Sequence, residues 1–586
     1  MDAFCSDLSL RSAPVDLPRG VQTLDLSRNH VQNLTRETLA FHTGLRRLNL
    51  RSNEIHFIQP GLFVDMADLK VLDLSRNRLN VLALSNVSLG PLTAVETLDL
   101  SSNGLYTGMT DYFLAHSPSL EVLALNGNSI TKIAQNTFSG SPRLKKIGLR
   151  NNVILEIESG RLRLPERSDE LDLSQELHHL VLNLSKNSVE LFHSATSTDY
   201  YRLLSLDLSE NKMSSFPLLP RNNRLERLDV SRNQLQSVND TATPDEKTFF
   251  SHLRYLDMSY NQLQSLPESF FHCMRSLEVL NVSNNCIGEF SVADEGLLRT
   301  VKVINLGYNS LRSLTFGENT LRSLEKLLLR GNGLATLDSG VFRRLPSIEH
   351  LQLRQNNLQI CSWGRNRQDA PGCVSFSSVP TLQILDLSDN QLRTVPADAF
   401  AGSPLKSLDL SLNPGLDMDR DSLSGLERSL VHLLLRENNI SSLSMDLSSL
   451  TSLKHIDLST NQLTTVPAWN RDSSIESLNL QNNHLVTLEY STMLALEPSL
   501  KTLYMGSNPL SCCSNLDLLQ MVQNSAVVVP DIETATCVHQ EYSEPVNIEQ
   551  KLKSGLNTET SNCETLTWRC CVQRNNPQLY TTEMLF

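Results

Sequence analysis

One phrase governs this chain. It reads L-x-x-L-x-L-x-x-N-x-L, and it returns twenty times. Its asparagine falls at Asn29, Asn53, Asn77, Asn103, Asn128, Asn152, Asn187, Asn211, Asn233, Asn261, Asn285, Asn309, Asn332, Asn356, Asn390, Asn413, Asn438, Asn461, Asn483 and Asn508. Most copies are 22 to 28 residues apart, and two gaps stretch to 35 and 34. A single such unit cannot cover its own leucine face, so copies must stack and share one continuous core.

A period of this length with this wording is the leucine-rich repeat signature. The fold class expected is an α/β leucine-rich repeat solenoid, a curved horseshoe with a parallel sheet on its concave face and a disulfide-held C-terminal cap. In L-x-L the two leucines face one side of a short strand and the residue between them faces the other. The asparagine is expected to satisfy backbone groups where the chain leaves the strand. The convex side is expected to carry loops and short helical turns, such as Pro60-Gly-Leu-Phe63 and Pro396-Ala-Asp-Ala-Phe400. Asp recurs between the leucines, at Asp25, Asp73, Asp99, Asp207, Asp229, Asp257, Asp386, Asp409 and Asp457. Two readings stand for it: repeat grammar, or an acidic lane for a basic partner.

The register divides the chain. Residues 1–19 are the remnant of an N-terminal cap, with Cys5 alone. Residues 20–510 hold the repeats, irregular at 156–187, 236–250 and 359–380. Residues 511–563 form a C-terminal cap, and 564–586 a tail that reads as cytoplasmic juxtamembrane. At the first irregularity a degenerate copy, Leu171-Asp-Leu-Ser-Gln-Glu176, stands only 11 residues before Asn187. The spacing predicts about ten missing residues or a locally unravelled turn there.

The cysteines sort by context. Cys361 and Cys373 bracket a polar Gly/Pro loop and are expected to form a local disulfide, a metal site needing more ligands than the loop offers. Cys512, Cys513, Cys537 and Cys563 follow the last repeat and are expected to hold the cap by two bonds. The pairing taken is Cys512–Cys537 with Cys513–Cys563, one of three connectivities the sequence allows. Cys273 reads as a buried small hydrophobe. Cys286 is the odd one. Across the copies, the position after the ladder asparagine is filled mostly by polar or turn residues such as His30, Glu54, Lys212, Gln262 and Ser310. It therefore faces solvent, and Cys286 occupies it. A lone exposed thiol outside the cell points to intermolecular pairing. The alternatives are an inert thiol and an intrachain partner.

Sequons at Asn33, Asn86, Asn183, Asn239, Asn281 and Asn439 are glycosylation candidates. With the cysteine clusters they favour an oxidising, extracellular setting. Glycans on Asn183 or Asn281 would occupy the concave face. The net charge of −13 without a Lys/Arg-rich run argues against a nucleic-acid partner. Met1-Asp-Ala-Phe-Cys5 has no signal-peptide pattern. No 18-residue apolar run offers a transmembrane helix. A membrane anchor is expected of the intact protein. No phosphate loop, H-E-x-x-H or G-x-S-x-G is present, and the 14 histidines are scattered. The chain is read as no enzyme, without cofactor or metal.

The order of the irregularities carries a resemblance. It runs through Phe57-Ile-Gln-Pro-Gly-Leu-Phe63, Leu100-Ser-Ser-Asn-Gly-Leu-Tyr-Thr-Gly108, the Cys361–Cys373 loop, Leu410-Ser-Leu-Asn-Pro-Gly-Leu416, Val466-Pro-Ala-Trp469 and Asn508-Pro-Leu-Ser-Cys-Cys513. The chain resembles the GARP-like leucine-rich surface receptors for latent transforming growth factor beta, over nearly its whole length. The resemblance implies a non-enzymatic, single-pass cell-surface protein that tethers the latent complex, controls its availability for activation and meets integrins through that complex. It implies disulfides to the prodomain dimer from two cysteines. Cys286 matches the second. The first should lie just after residue 176, and no cysteine stands there. The other classes weighed are a Toll-like pattern-recognition ectodomain and an extracellular-matrix leucine-rich repeat binding protein.

Overall fold

In the computed structural model the described residues are 1–157 except 15, 19, 40–41, 81–88, 90, 110–113, 115–116, 134–137 and 139–140; then 180–192; 203–238 except 218 and 220–222; 250–361; 373–511; 515; 526–538; and 546–547. They divide into two compact units. The first is Met1–Leu311 with Phe316–Leu324, and the second is Arg312–Thr315 with Glu325–Phe586.

In the first unit thirteen short strands pair in parallel, each with the next along the chain. They run from Asp2–Phe4 and Thr23–Asp25 through Arg47–Asn49, Val71–Asp73, Thr97–Asp99, Val122–Ala124 and Lys146–Gly148. They continue with Leu180–Asn183, Leu203–Asp207, Arg227–Asp229, Tyr255–Asp257, Val279–Asn281 and Val303–Asn305. In the second unit eight strands, from Lys326–Leu328 to Thr502–Tyr504, pair in parallel the same way. Each unit is thus a parallel-sheet leucine-rich repeat solenoid. The L-x-L leucines are wholly buried, as at Leu24, Leu26, Leu280 and Leu408. Parallel strands need a crossover between them, and each copy's remaining residues supply it.

The ladder asparagine works as expected. Asn285 donates through Nδ2 to the Val282 carbonyl of its own copy and to the Met258 carbonyl of the copy before, both at 3.0 Å. Its Oδ1 accepts from the Leu263 N–H at 3.0 Å. The residue before the asparagine carries a feature the phrase does not advertise. It has a positive φ in all twenty copies, and it is glycine in only two, Gly127 and Gly331. A side chain in that left-handed region costs roughly 1–2 kcal/mol. The cost is offset because the twisted residue aims its N–H at the next copy, as Tyr260 does to the Ser283 carbonyl at 2.9 Å.

Of two further expectations, one falls outside the described residues and one needs correcting. Lys146–Gly148 pairs directly with Leu180–Asn183, and Asn187 donates to the Leu149 carbonyl at 3.0 Å. The degenerate copy Leu171–Glu176, and with it the expected break in the repeat, lies outside the described residues. The stretches after Pro60 and Pro396 are turns, not helical. Among the described residues the α-helices are Arg36–Leu39 and Tyr490–Leu496, with short 3-10 turns such as Glu268–Cys273.

The C-terminal end is closed by a carboxylate. Asp531 accepts from the N–H groups of Met505 and Gly506, at 3.3 and 2.6 Å; in the preceding copy the equivalent N–H groups go to the next strand's carbonyl and to the turn's own Asn479. Leu510–Ser511 pairs with Thr536–Val538, which pairs antiparallel with Val546–Asn547. Cys537 lies in that middle strand. Cys512, Cys513 and Cys563, and with them the cap pairing, lie outside the described residues, as do the tail 564–586, Asn86 and Asn239.

Candidate functional site

Cys286 follows the ladder asparagine of the copy whose strand is Val279–Asn281. Its N–H donates to the Leu263 carbonyl at 2.9 Å, and the same bond recurs up the column from Gln262 to Leu235 and from Ser310 to Ile287. The backbone is therefore fixed on both sides, while the thiol is exposed and unbonded. Ile287 beside it is fully buried, and its N–H reaches Asn309 Oδ1 at 3.0 Å. A nucleophile held this way keeps its position while its side chain stays open to a partner. Thiol–disulfide exchange needs that access. Cys273 is buried in the 3-10 turn Glu268–Cys273, as expected. Cys5 is half-buried. Cys361 and Cys373 form the expected disulfide.

The sheet beside Cys286 shows what the recurring Asp does within the fold. Asp257 accepts from the Ser259 N–H and hydroxyl through Oδ1, at 2.9 and 2.6 Å. Its Oδ2 accepts from the Tyr255 hydroxyl at 3.1 Å and from Asn281 Nδ2 at 2.8 Å. The same Asp-to-Ser turn recurs at Asp25, Asp73, Asp99, Asp207, Asp229, Asp386, Asp409 and Asp457. These carboxylates are acceptors for their own turns, which is repeat grammar. Burial pushes the carboxyls of Asp229 and Asp409 up. The Arg227 guanidinium lies 3.7 Å from the centre of the Tyr255 ring.

The described sequons differ in setting. Asn33 and Asn439 are exposed. Asn183 and Asn281 are half-buried in the sheet, and each gives its amide nitrogen to a neighbouring carboxylate, Asp207 and Asp257. Among the described residues, no group of three His, Cys, Asp or Glu side chains is arranged to hold a metal, and no helix is long and apolar enough to cross a membrane.

Two side chains escaped the sequence reading. The left-handed position before the ladder asparagine is aromatic at Tyr260 and Tyr308 alone among the twenty copies. These copies stand immediately before and after that of Cys286. The column comparison that singles out Cys286 exposes this pair as well.

Comparison with known proteins follows the same architecture. The chain matches the Leucine rich repeat family over residues 19–79, 43–105, 109–177, 223–287, 251–297, 322–365 and 380–429, and Leucine Rich repeats (2 copies) over 428–471. It is 36% identical over 572 residues to Transforming growth factor beta activator LRRC32 of Mus musculus, covering 92% of this chain and 86% of that one. It is 30% identical over 587 residues to Transforming growth factor beta activator LRRC33 of Danio rerio, covering 92% and 84%. Among solved structures it is similar to one of the Toll–Spatzle complex of Drosophila, with 16% identity and a TM-score of 0.50 over 91% of this chain and 86% of that one. That last likeness shows the fold alone.

Proposed function

This chain belongs to the family of leucine-rich repeat transforming growth factor beta activators, and on that premise we propose that it tethers latent transforming growth factor beta through a mixed disulfide at Cys286. The observation that carries the covalent step is the exposed thiol on a doubly anchored backbone rung. The Cys286 thiolate attacks one sulfur of a prodomain disulfide. A new S–S bond forms to that sulfur, and the other sulfur leaves as a thiolate that takes up a proton. No net oxidant is needed. The prodomain dimer is the partner. Holding it at a cell surface through a membrane anchor, and presenting it to integrins, completes the reading of the protein as a non-enzymatic receptor that controls growth-factor release. Glycans belong on the exposed Asn33 and Asn439 in that setting, and two disulfides among Cys512, Cys513, Cys537 and Cys563 close the cap. The Toll-like alternative has likeness of fold behind it and no residue.

Co-expression with the latent growth factor, followed by non-reducing electrophoresis, tests this. The expected result is a high-mass band lost on reduction and absent from the Cys286→Ser chain. A band that survives Cys286→Ser would sink the assignment of the latch to this residue.

A further inference from the structure

Tyr260 and Tyr308 flank the rung of Cys286 and are the two aromatic residues at the left-handed position among the twenty copies. Both sit in the left-handed backbone region, with φ of 55° and 53°. That region is uncommon for any residue other than glycine and an outlier for a bulky one. The equivalent position elsewhere holds mostly small, polar or charged residues, such as Ser52, Ser102, Asn151, Lys186, Glu210 and Asn482. Both rings remain open to a partner, Tyr260 at 46% and Tyr308 at 43% exposure. The rungs are fixed in sequence: Tyr260 N–H donates to Ser283, and Asn284 N–H to Gly307. The two tyrosines therefore stand one rung either side of Asn284, roughly 10 Å apart at the usual strand spacing. Cys286 lies two residues beyond Asn284 on the middle rung. Arg232, one rung further back, places its guanidinium 4.1 Å from the centre of the Tyr260 ring.

We infer that Tyr260 and Tyr308 form a docking patch for an extended, cysteine-bearing segment of the prodomain, and that they seat it before the disulfide forms. This rests on the tethering reading above and deepens it. Tyr and Arg are the side chains that dominate binding hot spots, because they bring large, rigid contact area and a polar tip. The segment's chemistry follows from the edge it meets. Apolar side chains on either side of its cysteine lie against the two rings. A carboxylate or main-chain carbonyl on the Tyr260 side meets Arg232, the cation already held against that ring. An extended segment suits a row of rungs, because its side chains project at short regular intervals along one line.

The test uses the full chain carrying Cys286→Ser, so that affinity is read without the covalent bond, and the prodomain dimer in its latent complex as probe. Tyr260→Ser and Tyr308→Ser are each expected to weaken binding by about thirtyfold, the loss that marks a hot-spot side chain. Arg76→Ser, at the same left-handed position far along the sheet, serves as the control and is expected to leave affinity unchanged. In the chain with Cys286 intact, both tyrosine variants should slow formation of the high-mass band. Their reaction with a small aromatic disulfide should keep its rate, which separates seating from thiol reactivity. Unchanged affinity with Tyr260→Ser/Tyr308→Ser together overturns the patch while leaving the tether standing. Failure of the parent chain to bind the latent complex at all overturns the tether itself. Slower reaction with the small disulfide would show the tyrosines acting on the thiol, and would equally overturn the docking role.

Discussion

Asn285→Ala and Cys286→Ser alter adjacent residues and should behave as opposites. The Asn285 side chain makes bonds to both its own copy and the one before it. Removing it orphans the Leu263 N–H, whose one acceptor is Asn285 Oδ1. The two main carbonyls fare better. Met258 O still accepts from Asn261 Nδ2, and Val282 O from Asn309 Nδ2, each at 3.0 Å. The orphaned buried amide costs about 1–3 kcal/mol, and the two lost acceptor bonds together about 1 more. The sum, roughly 2–4 kcal/mol, is a large part of a domain's stability. In a stacked array the damage stays near the lesion, because each copy contacts only its neighbours. Hydrogen exchange read by mass spectrometry should show faster exchange in the peptides around Leu263 and Val282, and urea denaturation should begin earlier. Cys286→Ser, at an exposed position with an unchanged backbone bond, should stay within about 0.5 kcal/mol. If Asn285→Ala denatures with the parent and keeps its Leu263 amide protected, the ladder account is wrong.

Other expectations follow from single sites. His432 and His455 stack on facing strands, with ring centres 4.6 Å apart and planes within 5°. Burial, then the neighbouring His455, lowers the His432 pKa. The unfolded chain therefore takes up this proton more readily than the folded one, so stability falls as pH drops below about 6.5. His432→Phe should flatten that dependence in thermal scans between pH 7.5 and 5, and an unchanged slope would count against it. Glu476 is held down to about 2 by hydrogen bonds from Lys454 and Lys501. A depressed carboxyl is stabilising above its unfolded pKa and loses that contribution as pH falls towards the folded one. Its side-chain carbonyl resonance should still report the charged form at pH 3, and should titrate near its ordinary value in Lys454→Met/Lys501→Met. Reducing Cys361–Cys373, which are 12 residues apart, should cost about 3 kcal/mol, seen as earlier urea unfolding of that chain segment. Unfolding indifferent to Cys361→Ser/Cys373→Ser would refute the clamp.

Much of the fold was legible because the repeat's chemistry is local. Leucine at alternate strand positions has to be buried, and asparagine after the strand has a fixed set of backbone groups to satisfy, so both read directly from letters. The Cys361–Cys373 clamp was legible because its loop is short. The interval from Asn152 to Asn187 is harder to read, because letters place a strand without saying which strand lies beside it. Pairing is decided by neighbours in space, and Lys146–Gly148 takes Leu180–Asn183. The left-handed residue before each asparagine was hidden for another reason. Its conformation is imposed by the ladder on whatever side chain stands there, so Arg28, Lys186 and Tyr260 share it without sharing chemistry. For the candidate site, Cys286 was visible by column comparison. Its tyrosine neighbours stand in the column before the asparagine, where side chains of every chemistry share one backbone conformation.

The most direct measurement is peptide mapping of the unreduced complex, isolated from cells that make this chain together with the latent growth factor. A disulfide-linked pair joining the Cys286 peptide to a prodomain cysteine peptide is the result expected, with Cys361 and Cys373 recovered joined to each other. Cys286 recovered wholly as a free, alkylated thiol from a complex that is nevertheless intact would contradict the account.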